Sequence, residues 1–332
     1  MTSPNRPLAA SPSGGRGQQP GKAGSAAAVG MGRATAVAVM VAVTLMWSIA
    51  GVVTRQLQSA HSFEVTFWRS FFTAVSLLII LPLWQGPGVF RRMPWGQGAF
   101  WFSGICWSVM LTAFMMALTL TSVGNVLVTM AVGPLVTALI ARVFIGHRLP
   151  ARTWIAIVVA GLGIAYMFAS QVDLDRLGQG STVLGLLVAL LVPLAAATNW
   201  TIVQRSQSHG SRIDLVPSVL LGAVISSLVT LPLSFPFAAT PTDMAWLALL
   251  GLVQLAIPCV LAVQCARVLK APEVALLALL EVIFGILWAW WGANETPTRE
   301  VLLGGTLVIG ALLGNELLGM AATAPTHNHR RP

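Results

Sequence analysis

The chain is poor in charge. Only 9% of its 332 residues are Asp, Glu, Lys or Arg, against roughly 25% in an ordinary soluble domain. So little polar surface cannot cover a water-soluble globule, and the mean hydropathy of +0.80 makes the bilayer the expected solvent. Acids are scarcer than bases, 10 against 19. The basic excess does not point to nucleic acid, because the bases fall singly or in pairs between apolar runs, without a basic stripe or interleaved aromatics. Cysteine is scarce as well. Cys106, Cys259 and Cys265 all lie inside apolar runs, in odd number and without metal-ligand spacing, so they read as small buried side chains and no disulfide framework or metal site is expected. Histidine is missing from every apolar run: His61, His147, His209, His327 and His329 fall in loops or tails. That removes a deep base or metal ligand and counts against a membrane-embedded enzyme. Ser103-Gly104 looks like part of an intramembrane serine protease signature, but Trp101 stands where a glycine is needed. No selectivity-filter repeat or charged ring is visible, which lowers the alternative of a channel. No cofactor is expected.

What the chain has instead is long apolar runs. Residues 1–33 are rich in Gly, Ser, Pro and Ala, contain no apolar run, and are expected to form a disordered tail. The first apolar segment starts only near Ala34, too late for a signal peptide. Ten spans follow, near 34–56, 63–84, 97–119, 123–145, 152–170, 182–203, 214–236, 243–266, 272–292 and 299–320, each close to the 20 or so residues that cross a bilayer. Gln85-Gly86-Pro87-Gly88, Leu149-Pro150, Gly178-Gln179-Gly180 and Thr296-Pro297 punctuate them. Trp84, Trp95, Trp101, Trp154, Trp246, Trp290 and Trp291 lie near span ends, as interfacial anchors do. Residues 321–332 form a second polar tail.

The bases orient these spans. With the N-terminus cytoplasmic, the tails and even-numbered loops hold Arg6, Arg16, Lys22, Arg33, Arg91, Arg92, Arg142, Arg148, Arg152, Arg205, Arg212, Arg267, Lys270, Arg330 and Arg331. The opposite loops hold only Arg55, Arg176 and Arg299, and Arg69 lies within the second span. This bias predicts a multi-pass protein of the cell (plasma) membrane with both termini cytoplasmic.

The chain also matches itself weakly at an offset near 150. Leu81-Pro82-Leu83 closes the second span and Leu231-Pro232-Leu233 the seventh; Thr54-Arg55 ends the first and Gln204-Arg205 the sixth. Five spans is an odd number, so the second copy must run the other way through the membrane. The charges agree: Arg91 and Arg92 correspond to a loop holding Asp243, and Arg148 and Arg152 to one holding Glu295 and Glu300. The expected fold is therefore an all-α integral membrane protein with ten transmembrane helices in two inverted five-helix repeats (5+5), residues 34–170 and 171–320. Inverted repeats are typical of alternating-access carriers, whose halves exchange conformations. The alternatives are a channel or a structural membrane protein.

Particular residues carry a family resemblance over about 34–320. They are Leu45-Met46-Trp47-Ser48, Phe67-Trp68-Arg69, Ala117-Leu118 before the polar turn Thr119 to Asn125, and the Gly-rich tenth span from Gly304-Gly305 to Gly314. On these and the duplicated layout, the chain resembles an EamA-like transporter of the drug/metabolite transporter superfamily. The family's Glu-Pro pair in the fourth and ninth spans reads Gly133-Pro134 and Glu281-Val282 here, so each copy keeps one half of it. The acidic residue after the fourth span is replaced by His147, while Glu295 keeps it in the second copy. The resemblance implies secondary-active export or exchange of small metabolites, amino acids or drug-like compounds, and no enzymatic activity.

Ionisable groups at bilayer depth are costly and default to functional candidates. Glu281 reads as a proton-coupling carboxylate or a counter-charge to an amine, or else as an acid that fixes helix packing. Arg69 reads as a ligand for an anionic group, or as a snorkelling side chain paired with a loop acid such as Glu64. Ser48, Asn125, Thr129, Asn199 and Gln254 mark the polar lining of a cavity, or hydrogen-bonding glue between helices worth about 0.6 kcal/mol each. Trp47, Trp107 and Trp200 lie deeper than the belt tryptophans and suit a cavity for apolar or cationic compounds, or plain packing. Pro134, Pro193 and Pro258 fall within spans, where proline kinks a helix. Gly310 and Gly314 form a GxxxG pattern that permits close helix contact, within the bundle or between subunits. The expected partners are a small-molecule substrate and the lipid bilayer, in a monomer or homodimer.

Overall fold

The computed structural model describes residues 31–54, 56–60, 62–121, 126, 129–146, 149–168, 180–208, 213–293 and 298–323. Both expected tails lie almost entirely outside the described residues, as do Asn125, His147, Arg148, Arg176 and Glu295. Among the described residues every regular element is helical. The elements are α1 (Arg33–Ser48), α2 (Ala50–Thr54), α3 (Ser62–Gln85), α4 (Gly98–Leu120), α5 (Gly133–Ile145), α6 (Ala151–Phe168), α7 (Gly180–Ser208), α8 (Ser218–Thr230), α9 (Pro241–Leu249), α10 (Ile257–Cys265), α11 (Ala271–Ala278), α12 (Leu280–Ala293) and α13 (Arg299–Thr323). A π-helical stretch, Leu250–Ala256, joins α9 to α10.

Helix ends follow local chemistry. Thr240 caps α9 by accepting from the Asp243 N–H, with Pro241 next, where its missing N–H costs nothing. Gly146, at φ 69°, closes α5 in the left-handed conformation that a side chain would disfavour. Among the described residues, six helical stretches are long and apolar enough to cross a membrane: Arg33–Thr54, Phe63–Gln85, Gly98–Ala117, Val183–Gln207, Pro241–Cys265 and Ala271–Trp288. Gly133–Ile145, Ala151–Met167 and Ser218–Leu233 are shorter apolar helices. Large apolar side chains such as Ile79, Leu83, Val143, Phe144, Leu162 and Leu228 point outward, which suits lipid and not water. The protein is an all-α, multi-span membrane protein.

Several spans expected to be continuous are interrupted. The first breaks at Ile49, the ninth at Leu279, and the fourth turns at Ala131–Val132 before α5 begins. Pro134 therefore opens α5, where it needs no backbone partner, and does not kink a running helix. Pro258 lies inside the continuous helical span Pro241–Cys265, directly after the π-helical stretch. Pro193 stays within the unbroken α7.

The most extensive helix contacts all join an element before residue 169 to one after residue 180. α4 packs on α7 and α8, α3 on α8 and the π-helical stretch, α1 on α10 and α12, α5 on α7 and α11, and α6 on α13. The core between α6 and α13 is built from Ile157, Ala160, Ile164, Met167, Val308 and Leu312, which join one apolar cluster. The close approach here is made by Gly163 and Gly304, not by the GxxxG pair. A β-carbon at Gly304 would collide with Met167 and the Gly163 carbonyl, whereas Gly310 and Gly314 have nothing within 4 Å. Gly304→Ala is expected to lower stability by about 1–3 kcal/mol through overpacking. Gly310→Ala should be neutral or slightly stabilising, since it only raises helix propensity. Thermal unfolding of the purified variants in detergent checks the contrast.

Candidate functional site

The interrupted helices bring the deep charges together. Glu281, which reads as mid-span in the sequence, lies in the first turn of α12 because the helix restarts after Leu279. A helix N-terminus favours negative charge there. Arg69, on α3, is 6% exposed. Its Nη1 donates only to the Met115 thioether, at 3.3 Å, and its Nε is buried with no hydrogen-bond partner among the described residues. Arg69 and Glu281 form no ion pair or hydrogen bond with each other.

Around this pair stand three more of the expected residues. Gln254 lies in the π-helical stretch, whose wider turn re-aims its side chain. Its Nε2 donates to the Trp47 carbonyl at 3.3 Å, next to the break in the first span. Its Oε1 is buried without a donor among the described residues. The Ser48 hydroxyl donates to the Leu45 carbonyl at 2.7 Å and accepts from the Trp288 indole at 3.0 Å. The sequence reading missed Trp288 and Met115. Trp288 stands seven residues, about two helical turns, after Glu281 on the same helix, a spacing that places both on one face.

The other expected residues form a separate cluster. The Ser103 hydroxyl lies 2.6 Å from Asn199 Oδ1 and 2.7 Å from the Ser218 hydroxyl, joining α4, α7 and α8. Trp107 and Trp200 pack edge to face at 5.6 Å, and each is only 3% exposed. Gly222 lies so close to Trp107 that a β-carbon there would clash with it. This second cluster is tightly packed, and Asn199 Nδ2 and Trp107 Nε1 have no partner among the described residues. Thr129 is half-buried near the turn that precedes α5. Asn125 lies outside the described residues.

Glu64 is not the partner of Arg69. It is fully buried, and its carboxylate accepts from the backbone N–H groups of Ala238 (3.0 Å) and Ala239 (2.9 Å) and from the Trp68 indole (3.3 Å). Asp243 makes the reciprocal contact: it accepts from the N–H groups of Gln58 (2.9 Å) and Ser59 (3.3 Å), and from Thr240 N at 3.1 Å. Each acid thus holds the segment that precedes the other's helix. Ser234 Oγ adds a bond to the Phe63 carbonyl at 3.1 Å. The opposite ends of the helices are joined by ion pairs, Arg33 with Glu273 at 3.3 Å and Arg267 with Asp214, and by Gln204 Oε1 accepting from Ala271 N at 2.9 Å.

A model of the EamA-like transporter family matches the chain twice, over residues 34–169 and 183–315. S-adenosylmethionine uptake transporters of Rickettsia prowazekii (strain Madrid E) and Rickettsia conorii (strain ATCC VR-613 / Malish 7) are each 22% identical to it, over 260 and 259 residues, which is 76% of this chain and 82% of each relative. A protein of known crystal structure shares the fold, with a TM-score of 0.73 at 16% identity, covering 88% of this chain and 100% of that one.

The carboxylate of Glu64 is expected to matter for stability more than any exposed charge. Glu64→Ala leaves the Ala238 and Ala239 N–H groups without their acceptor and should cost about 2–3 kcal/mol. Arg91→Ala, at an exposed loop, should stay within about 0.5 kcal/mol of the parent. Unfolding in detergent by heat or denaturant reads the difference.

Proposed function

The chain belongs to the EamA-like transporter family of the drug/metabolite transporter superfamily, and on that premise we propose that it is a secondary-active carrier of small organic solutes working by alternating access in the cell membrane. The observation that carries this reading is the reciprocity of the helix contacts. α1 packs on α10 and α12, and α7 packs on α4 and α5. Exchanging the first five spans for the second five turns one set into the other. α3 on the π-helical stretch becomes α8 on α4 in the same way, and α3 with α8, α5 with α11, and α6 with α13 are pairs that the exchange returns to themselves. The double match of the family model supports the same division, near 34–170 and 171–320. With five spans in each half the two copies run in opposite directions, which puts both termini in the cytoplasm under the positive-inside bias.

In this reading the Glu64 and Asp243 contacts close the outer side, and the Arg33–Glu273 and Arg267–Asp214 pairs close the inner side. Opening either side requires breaking only that side's set. Trp47, Ser48, Gln254, Glu281 and Arg69 form the solute site, with Trp288 at its edge. Asn199, Trp107, Trp200 and Thr129 occupy the related positions in the other half, with Asn125 as their neighbour in sequence. Glu281 is the coupling group: one carboxylate that takes up a proton or a solute cation, never both, makes the two fluxes depend on each other. The Rickettsia relatives are uptake carriers; an exchanger runs in either direction, set by the gradients.

The experiment is proton movement in proteoliposomes. On addition of a solute panel that includes S-adenosylmethionine, amino acids and amines, the parent protein is expected to give a saturable proton flux. Glu281→Gln should abolish that flux while the protein remains folded. Proton movement unchanged in Glu281→Gln would refute the coupling role, and flux that rises linearly with solute would favour a channel.

A further inference from the structure

On the lipid-facing side of the α6–α13 seam lies a groove of about 350 Å³. Its floor is made of small residues, Ala156 of α6 and Gly310 and Gly314 of α13. The two glycines meet nothing where a β-carbon would stand, so this stretch is an open trough and not a packed contact. Its rims are exposed apolar side chains, Ile155 on one helix and Leu307 on the other. One end differs. Arg152, in the first turn of α6, and Asn315 of α13 both line it. Arg152 Nη1 donates to the Leu318 carbonyl at 3.1 Å, and its Nε is buried with no acceptor among the described residues. Asn315 is only 5% exposed; its Oδ1 accepts from Thr153 Oγ1 at 2.9 Å, and its amide nitrogen has no acceptor among the described residues. Among the described residues no Asp or Glu lines the groove. The polar end thus offers donors and a positive charge with nothing to answer them, and a buried donor left unanswered is costly.

We propose that this groove binds an anionic phospholipid, with the phosphate at Arg152 and Asn315 and an acyl chain laid over Gly310 and Gly314. Guanidinium and amide N–H groups are the donors that phosphate oxygens accept from. From Thr306 to Leu318 the groove follows α13 for about 18 Å, at about 1.5 Å per residue. That is close to the roughly 15 Å of hydrocarbon in one leaflet, half of a bilayer core. The orientation proposed above puts Arg152 on the cytoplasmic side, where anionic lipids gather and basic pockets between helices hold their headgroups. A second copy of the chain is the other occupant that a GxxxG face suggests. A two-fold axis along the membrane normal would set the two grooves face to face at one depth. Arg152 would then meet its own copy, with no acid in the groove to separate the two charges. A lipid phosphate neutralises that charge instead. Arg152 and Ile155 belong to the first half and Gly310 and Asn315 to the second, so the bound lipid clamps one helix of each half to the other. Nothing in this site depends on which solute the protein carries.

The test uses the full chain, purified and delipidated in an uncharged maltoside detergent, with thermal unfolding and native mass spectrometry as readouts. Dioleoyl phosphatidylglycerol is expected to raise the unfolding temperature saturably and to be retained as a single lipid per chain. Dioleoyl phosphatidylcholine has the same chains and no net charge, and should bind about fivefold more weakly, the worth of one basic group at a charged membrane surface. Glycerol phosphate and inorganic phosphate, which lack the chains, should leave the unfolding temperature unchanged. Arg152→Gln should bring phosphatidylglycerol level with phosphatidylcholine, and Arg152→Lys, which keeps the charge, should retain the preference. Gly310→Leu, which fills the trough, should weaken both lipids. Equal binding of the two lipids by the parent protein, a preference that survives Arg152→Gln, or lipid binding unchanged in Gly310→Leu overturns the proposal. Stabilisation by inorganic phosphate alone also overturns it, in favour of a free-anion site. A dimer that Gly310→Leu breaks, without any lipid preference, gives the face to a second copy and overturns it too. Where a variant fails to fold, the comparison of the two lipids on the unaltered protein decides.

Discussion

A polar group inside a bilayer has no water to return to, so each one must be answered by another group of the protein. That constraint organises this molecule. Glu64 and Asp243 are answered by backbone N–H groups of each other's neighbouring segments. Ser70, Thr112 and Ser226 answer one another across three helices. Ser103, Asn199 and Ser218 do the same in the packed cluster. Other buried polar atoms among the described residues lack a partner, Arg69 Nε and Gln254 Oε1 on one side and Asn199 Nδ2 and Trp107 Nε1 in the packed cluster. On insertion scales a central arginine costs about 2.5–3.5 kcal/mol.

The second constraint is that no half of the chain buries itself. The largest contacts all run between the first and second halves, so the two copies are interleaved and not set side by side. In the carrier reading proposed above, one half moves against the other as a rocking of interlocked helices, with hinge points where helices are already interrupted. Ile49, Ala131–Val132, Leu279 and the π-helical stretch Leu250–Ala256 are such points. Three of them border the Arg69–Glu281 site: Trp47 precedes the first, Glu281 follows Leu279, and Gln254 lies within the π-helical stretch. The Gly163–Gly304 contact, by comparison, fixes α6 to α13 through backbone proximity and leaves little freedom there.

The sequence made the coarse architecture readable because hydropathy and charge act over whole segments. Apolar runs located the membrane helices, and Arg69 and Glu281 could be singled out because a lone charge in such a run is conspicuous. Local geometry was less readable. Nothing in the composition of the ninth span signals a restart at Leu279, so Glu281 read as mid-span when it begins a helix. Pro134 read as a kink, yet it sits in a first turn, since the same missing N–H serves both situations. Glu64 and Asp243 looked like ordinary loop acids, because their partners are backbone groups more than 170 residues away. The GxxxG pattern pointed to Gly310 and Gly314, whereas the contact belongs to Gly304, whose partner Gly163 lies on another helix. Pairing across such separations is a property of the fold and leaves no local trace.

The central claim is that the outer and inner contact sets open in turn around one solute site. Electron–electron distance measurement in proteoliposomes tests it directly. One pair of spin labels, at Gln58 and Ala238, spans the Glu64–Asp243 side; a second pair, at Gly32 and Lys270, spans the Arg33–Glu273 side. The account predicts that proton and solute gradients shift the two distance distributions in opposite senses, one lengthening as the other shortens. Both pairs lengthening together, or neither responding to any gradient, would contradict it.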